Sequence, residues 1–225
     1  MARFVAIMRS LLDRCYRPEI IDSDLPDEVM RDVHRDLTRT HRWLGNTAAI
    51  LSALRRDPLP VRRVLDIGCG DGALLLEIRR KLRADVVGVD LRPPSFQLDA
   101  VPILQTNAVL APLPESDVAV AVCMAHHLSD ADCIELIRNV GRYCRRFIIL
   151  DLVRHRLPLT LFSLTVGPLV HPVNAHDGRR SIRRSYTPRE LRALVTRALE
   201  GTRSMFRHRV APLYMRQIVD ITYVR

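Results

Sequence analysis

Lysine is almost missing from this 225-residue chain: Lys81 is the one lysine among 35 cationic side chains, and the formal net charge is +10. A clustered cationic surface would point to nucleic acid or an anionic membrane through counterion release. An excess carried by arginine alone is explained as readily by a GC-rich genome, so the charge by itself selects no partner. Cysteine pairs are missing too. Cys15, Cys69, Cys123, Cys133 and Cys144 are odd in number and follow no C-x-x-C spacing, which excludes a disulfide framework and a cysteine zinc site, and no metal is expected. The setting this implies is reducing and cytoplasmic. Internal repeats and low-complexity segments are absent as well.

No apolar run is long enough to span a bilayer. The opening "MARFVAIMRSLLDRC" sets Phe4, Ile7, Met8, Leu11 and Leu12 on one helical face, but Arg9 interrupts it and no small-residue cleavage site follows. It reads as an amphipathic helix packed on the core, with peripheral membrane contact as the alternative, and not as a signal peptide. Leu157 to Val173 carries no Asp, Glu, Lys or Arg, yet Pro158, Gly167 and Pro168 break it. A helical lid over a lipophilic pocket suits it better than a membrane span, and a buried helix or dimer contact is the alternative.

What is present is an alternation of strands and helices. Strands are expected at Arg63 to Ile67, Asp85 to Val89, Val101 to Gln105, Val118 to Val122 and Arg146 to Leu150, with helices at Ala73 to Leu82 and, capped by Ser129 and Asp132, to about Arg142. Continuous β-branched strands between helices imply a parallel sheet covered on both faces. Thr187, Pro188 and Glu190 open a further helix, and "SMFRHRV" and "RQIVDITYV" alternate as a closing hairpin. The organisation expected is one domain: a helical cover over residues 1–56, a ligand-binding core over 57–151, a lid over 152–186, and a helix with hairpin over 187–225.

The centre of the pattern is "VLDIGCGDGALLLEI", a strand running through a glycine turn into a helix. No G-K-[S/T] follows, so the turn is not a triphosphate loop. Gly68, Gly70 and Ala73 satisfy the permissive dinucleotide pattern, and Asp90 stands where a ribose-binding acid belongs. Charge separates the remaining ligands. A pyrophosphate on a helix N-terminus wants no anion nearby, whereas Asp66 and Asp71 flank this turn. Two carboxylates suit the ammonium and sulfonium of S-adenosylmethionine, and nicotinamide chemistry survives as a weaker option.

"VLDIGCGDG" followed by "VVGVD" resembles the first two motifs of the class I S-adenosylmethionine-dependent methyltransferases, over about Val64 to Leu150. The resemblance implies a Rossmann-like α/β fold, a mostly parallel seven-stranded sheet with helices on both faces and a C-terminal antiparallel hairpin. It implies that Asp66 orients the methionine amino group, that Gly68, Cys69 and Gly70 admit the cofactor, and that Asp90 takes the ribose hydroxyls. Asn107 stands where the family often has an adenine-binding acid, a departure from the pattern. Leu91, Ala108 and Met124 complete the candidate cofactor set.

The acceptor side is read beyond the carboxyl ends of the later strands. "CMAHHLSD" lacks the N/D-P-P-Y/F of enzymes that methylate exocyclic amines of bases, and carries His126 and His127, a pair seen in the family's small-molecule branch. A histidine suits removal of a proton from a phenol or enol; capping or cofactor packing is the bland alternative. A second cluster, "HPVNAHDGRRSIRRSYTP", offers His176 with Asp177 as a base and its neighbour, and Arg183 or Arg184 as an anion holder, against the alternative of a solvated loop. That stretch, with "RWLG" at Arg42 to Gly45, is similar to quinone-methylase-like methyltransferases encoded beside bacterial polyketide or lipid biosynthesis genes. The expectation is methyl transfer to a small hydrophobic phenol, quinol or polyketide-like acceptor, oxygen favoured over carbon. An RNA methyltransferase and a non-catalytic binding protein are the rival readings, and the sequence leaves the oligomeric state open, a homodimer included.

Overall fold

The computed structural model describes residues 12–96 and 101–224. Of the amphipathic face expected at Phe4 to Leu12, Leu12 alone lies within them, and it is not helical. Seven strands form one sheet: β1 (Arg63–Ile67), β2 (Asp85–Asp90), β3 (Ile103–Gln105), β4 (Ser116–Val122), β5 (Cys144–Asp151), β6 (Met205–Val210) and β7 (Gln217–Thr222). Their order is β3-β2-β1-β4-β5-β7-β6, with β1 to β5 parallel and β7 antiparallel to both neighbours. The mostly parallel Rossmann-like sheet with its antiparallel C-terminal hairpin is therefore the one the sequence implies.

Alternation along the strands divides the interior into two cores. Leu65, Ile67, Val87, Ala119, Phe147 and Ile149 face one side, where they pack with α4 (Asp130–Tyr143) and α7 (Pro188–Ala198). Val64, Val86, Val118, Val120, Ile148 and Leu150 face the other, against α2 (Asn46–Arg55) and α3 (Ala73–Leu82). Burial on both faces is why these strands read as unbroken apolar runs.

Three local differences have physical causes. β3 begins at Ile103 and not at Val101, because Pro102 lacks an N–H and contributes only its carbonyl, to Gly88 N at 2.8 Å. Ser129 caps α4 by accepting Asp132 N at 3.1 Å, but its hydroxyl donates to the Asp132 carboxylate at 2.7 Å, so the reciprocal half of a capping box is replaced. The polar stretch after the lid is not a loop: His171 Nδ1 accepts Val173 N at 3.3 Å and Pro172 takes the first position of α6 (Pro172–Arg184). Thr187 and Glu190 do form the full capping box of α7.

The apolar stretch folds as α5 (Arg156–Leu161), a π-helical turn over Phe162–Val166 and a 3₁₀ turn over Gly167–Leu169. It turns back into α6 where Gly167 and Pro168 interrupt it. A Cβ on Gly178 of α6 would come within 2.2 Å of the Phe162 ring, so this close approach of lid and α6 requires glycine. At the other end of the sheet, Arg146 holds Asp220 through two bonds of 2.8 and 2.7 Å and Asp57 through one of 2.8 Å, tying β5 to β7 and to the turn after α2. Among the described residues no helix is long and apolar enough to cross a membrane.

Candidate functional site

The chain steps outward from β1 to β3 and then returns to β4, so the connections after β1 and β4 diverge and leave a crevice at their carboxyl ends. A cavity of about 700 Å³ opens there. Its floor is the turn after β1 and the ends of β2 and β4. Its roof is α1 (Asp27–Trp43), the lid and α6.

The floor is built mainly from backbone. Gly68 N and Cys69 N both donate to Val89 O, at 2.8 and 3.3 Å, which pins the turn to the end of β2. Gly68 has φ +72°, and a Cβ there would lie 2.5 Å from Met124 Cγ. No side chain is tolerated at that point, because Met124 fills the space it would take. Asp90 accepts Gly70 N at 2.9 Å and Arg92 N at 2.8 Å, which fixes its carboxylate at the cavity edge. Asp66 is buried at the centre of the floor, and burial, with Asp90 nearby, pushes its carboxyl up to about 8. A buried acid in this state gains most from a cationic ligand. Asn107 Oδ1 accepts Val109 N at 3.0 Å, a turn-forming bond that occupies the oxygen expected to face adenine. Cys69, Leu91, Ala108 and Met124 line the same floor.

The other half of the cavity is built from side chains. His126 and His127 sit on a 3₁₀ turn directly after β4, reached through Cys123 at φ +52°. His126 is only 3% exposed. Its backbone N donates to Asp151 Oδ2 at 2.9 Å and its Nδ1 lies 2.7 Å from Asp151 Oδ1, which also accepts Leu152 N at 2.7 Å. Burial opposes a charge on this ring, but Asp151 and Glu19 outweigh it and raise the imidazole to about 10. His127 keeps 27% of its side chain exposed, with Glu19 Oε2 at 3.7 Å from Nε2 and Asp22 Oδ2 at 3.5 Å from Nδ1. Burial works against the Asp22 carboxylate, yet His127, the Glu19 amide and Arg184 bring it down to about 2.

Glu19 and Asp22 arrive on the N-terminal strap, which sequence reasoning passed over. Arg14 clamps that strap: its guanidinium lies 3.8 Å from the Tyr186 ring centroid, bonds Asp130 at 2.7 Å and donates to Arg184 O at 2.8 Å. Cys15 N adds a bond to Arg183 O at 3.0 Å. Ser181 Oγ, from α6, holds Glu19 Oε1 at 2.8 Å. Nothing in the spacing of residues 19, 126, 151 and 181 announces this meeting.

The second cluster separates. Asp177 reaches the cavity wall, where its two oxygens accept Ile20 N and Ile21 N at 2.9 Å each. His176 is exposed, paired with Asp177 at 3.0 Å on the outer side, and Arg183 is exposed as well. Neither lines the cavity with His126 and His127. Arg184 is buried at the wall and committed to Arg17 O, His127 O and Asp22.

Residues 64–146 match the family model described as a methyltransferase domain. A comparison with curated proteins gives no match. Among solved structures, the plantazolicin methyltransferase BpumL in complex with S-adenosylhomocysteine is 17% identical with a TM-score of 0.68, covering 91% of this chain and 93% of that one. Human N-acetylserotonin methyltransferase in complex with S-adenosylmethionine is 16% identical with a TM-score of 0.61, covering 95% of this chain and 63% of that one. The magnesium protoporphyrin IX methyltransferase of Synechocystis, with bound S-adenosylhomocysteine, is 16% identical with a TM-score of 0.55 and covers 91% of each chain. The family match spans the glycine turn and β1 to β4, and the sheet as a whole has the fold of these solved methyltransferases.

Proposed function

We propose that the chain methylates the hydroxyl of a small, hydrophobic phenol, quinol or polyketide-like molecule. The observation that carries this reading is the single cavity that joins the glycine turn to the histidine pair under an apolar roof, including Ile21, Leu37, Phe162, Val170 and Ile182. A pocket of about 700 Å³ has room for a cofactor end and a compact acceptor. Methyl transfer as such is supported by the neighbouring structures, named as methyltransferases of plantazolicin, N-acetylserotonin and magnesium protoporphyrin IX.

When bound, the cofactor supplies an electrophilic methyl group on sulfur. The chain's residues do the rest. Asp66, held poorly ionised by burial, receives the ammonium end, and Asp90, fixed by Gly70 N and Arg92 N, faces the ribose. The backbone at Gly68 and Cys69 lets the ligand lie flat on the floor. Asn107 serves by its turn, which orders Ala108 and Val109 beside the base, more than by a direct bond. The roof excludes water and holds the acceptor ring, so that alignment supplies much of the rate. The acceptor hydroxyl then faces Glu19, His126 and His127, which take or displace its proton. His176 and Arg183 have no part in this step. The cover, core and lid act as one domain, because each contributes to the cavity wall, and the hairpin joins them through the pairing of β7 with β5.

The test is a panel of lipophilic phenols and quinols incubated with methyl-labelled cofactor. Label uptake on oxygen, lost in Asp90→Ala, supports the proposal. Uptake by carbon, by peptide amines or by RNA, and not by these hydroxyls, would replace it.

A further inference from the structure

We infer that Glu19, His126 and His127 form a binding site for a first-row transition-metal dication, zinc-like in its coordination, inside the acceptor half of the cavity. The inference departs from the sequence expectation of no metal. Its chemical use rests on the proposed hydroxyl methylation, although the site itself does not.

The donor atoms converge. The three side chains each offer one ligand atom, and these atoms lie within 4.8 Å of one another. His126 Nε2 is 3.4 Å from Glu19 Oε1, and His127 Nε2 is 3.7 Å from Glu19 Oε2. Charge-assisted hydrogen bonds close to about 2.7–2.9 Å, as His126 and Asp151 do at 2.7 Å. The gaps at Glu19 are too wide for that, and the narrower one falls within, the wider one just beyond, the spacing of a different geometry. Bonds of about 2.0–2.2 Å at a tetrahedral angle set neighbouring ligand atoms about 3.3–3.6 Å apart.

The tautomer is fixed in the same sense. Asp151 already accepts two backbone N–H groups, from His126 and Leu152, so it acts as an acceptor and His126 Nδ1 carries the proton. Nε2, on the far side of the ring from Asp151, is the atom that faces Glu19, where a metal ion would take the place of a proton. That atom is buried and without a hydrogen-bond partner, which is costly unless a cation satisfies it. Asp151 behind His126 and Asp22, 3.5 Å from His127 Nδ1, are the carboxylates that commonly support metal-bound imidazoles. Ser181 orients Glu19. With both imidazoles as metal ligands, and so without their extra protons, the carboxylates of Glu19, Asp22 and Asp151 and the guanidinium of Arg184 leave a net double negative charge, which a dication balances. Two imidazoles and one carboxylate favour zinc, iron, cobalt or manganese over magnesium and calcium. The fourth position faces the cavity, because His127 lines it from its exposed side.

In hydroxyl methylation the O–CH₃ bond forms, the S–CH₃ bond breaks with its electron pair left on sulfur, and the hydroxyl proton passes to solvent. A Lewis acid beside the acceptor oxygen favours that proton loss at neutral pH.

The experiment uses the full chain, stripped with chelator and then titrated with Zn²⁺ by calorimetry and with Co²⁺ by visible absorption. One equivalent should bind, Co²⁺ should develop intense ligand-field bands of a low-coordinate site, and Glu19→Gln and His127→Asn should each weaken binding about 100-fold or more. Asp151→Asn should weaken it by about 10- to 100-fold, and His176→Gln, at an exposed ring outside the cavity, should leave it unchanged. His127→Asn keeps the test open if loss of Glu19 unfolds the strap. Absence of saturable binding, or binding untouched by Glu19→Gln and His127→Asn, overturns the inference and leaves a proton between His126 and Glu19. Titration of the same samples with S-adenosylmethionine separates the two failures: a metal-free chain that still binds cofactor loses this site alone.

Discussion

The two halves of the cavity are made in opposite ways. The half we propose for the cofactor is a short stretch of chain, Asp66 to Asp90, in which backbone N–H groups and missing side chains do the shaping. The half we propose for the acceptor is assembled from side chains of residues 19, 22, 126, 127, 151 and 181, brought together from four separate segments. A site made of backbone constrains sequence locally and strongly. A site made of distant side chains leaves each residue type looking ordinary, and its chemistry depends on the packing that gathers them.

This contrast is broken most severely by filling the floor. Gly68→Val puts a β-branched side chain at φ +72° and into Met124. Calorimetry should find no saturable S-adenosylmethionine binding, with the folded far-UV spectrum retained. Retained affinity would mean that the turn does not shape the cofactor site.

Next in size is a change on the acceptor side that should reach stability and not the cofactor. Asp177→Ala leaves Ile20 N and Ile21 N without their acceptor, at a cost of about 2–3 kcal/mol. Urea unfolding should record that loss, while cofactor affinity stays within a few-fold of the parent chain. A large loss of cofactor affinity would show the strap and the floor to be one unit.

The third effect is protonic. Asp66 is raised from 3.8 to about 8 in the folded chain, so between those values the folded state holds a proton that the unfolded state has lost. Its contribution to stability therefore falls as pH rises from about 4 to about 8, and Asp66→Asn should remove that fall. A cationic ligand reverses the shift. At pH 7 cofactor binding should release up to about one proton, visible as a dependence of calorimetric enthalpy on buffer ionisation, and affinity should climb with pH to about 8 and then level. Asp66→Asn should release none.

The smallest effect lies in the roof. Phe162 rests on the bare face of Gly178 and lines the cavity. Phe162→Ala removes apolar surface from a lipophilic acceptor, so KM should rise about tenfold with kcat nearly kept. An unchanged KM would move the acceptor elsewhere.

The same contrast explains what was legible. β1, α3, β2 and the glycine turn stood out because a buried parallel strand, a glycine that must be glycine and a strand-ending acid leave marks within a few residues of each other. His126 and His127 were visible as residue types, but not their clamping by Asp151 and Glu19. Glu19 and Asp22 carried no signal, since a strap without periodicity is placed by Arg14 stacking on Tyr186, a contact between residues remote in sequence. His176, Asp177 and Arg183 looked like one cluster because they are neighbours in the chain, yet helical geometry turns Asp177 inward and the other two outward. Recognising His171 and Pro172 as a helix start would have exposed that division.

The proposed division of the cavity requires that the floor alone hold the cofactor. The most direct measurement is calorimetric titration of S-adenosylmethionine into the parent chain, Asp90→Ala and His127→Asn. Loss of the charged acceptor at Asp90 should weaken binding about 10- to 100-fold, whereas His127→Asn should leave it within about twofold of the parent. Equal losses in both variants would contradict the division of the cavity, and unaltered binding in Asp90→Ala would contradict the assignment of the floor.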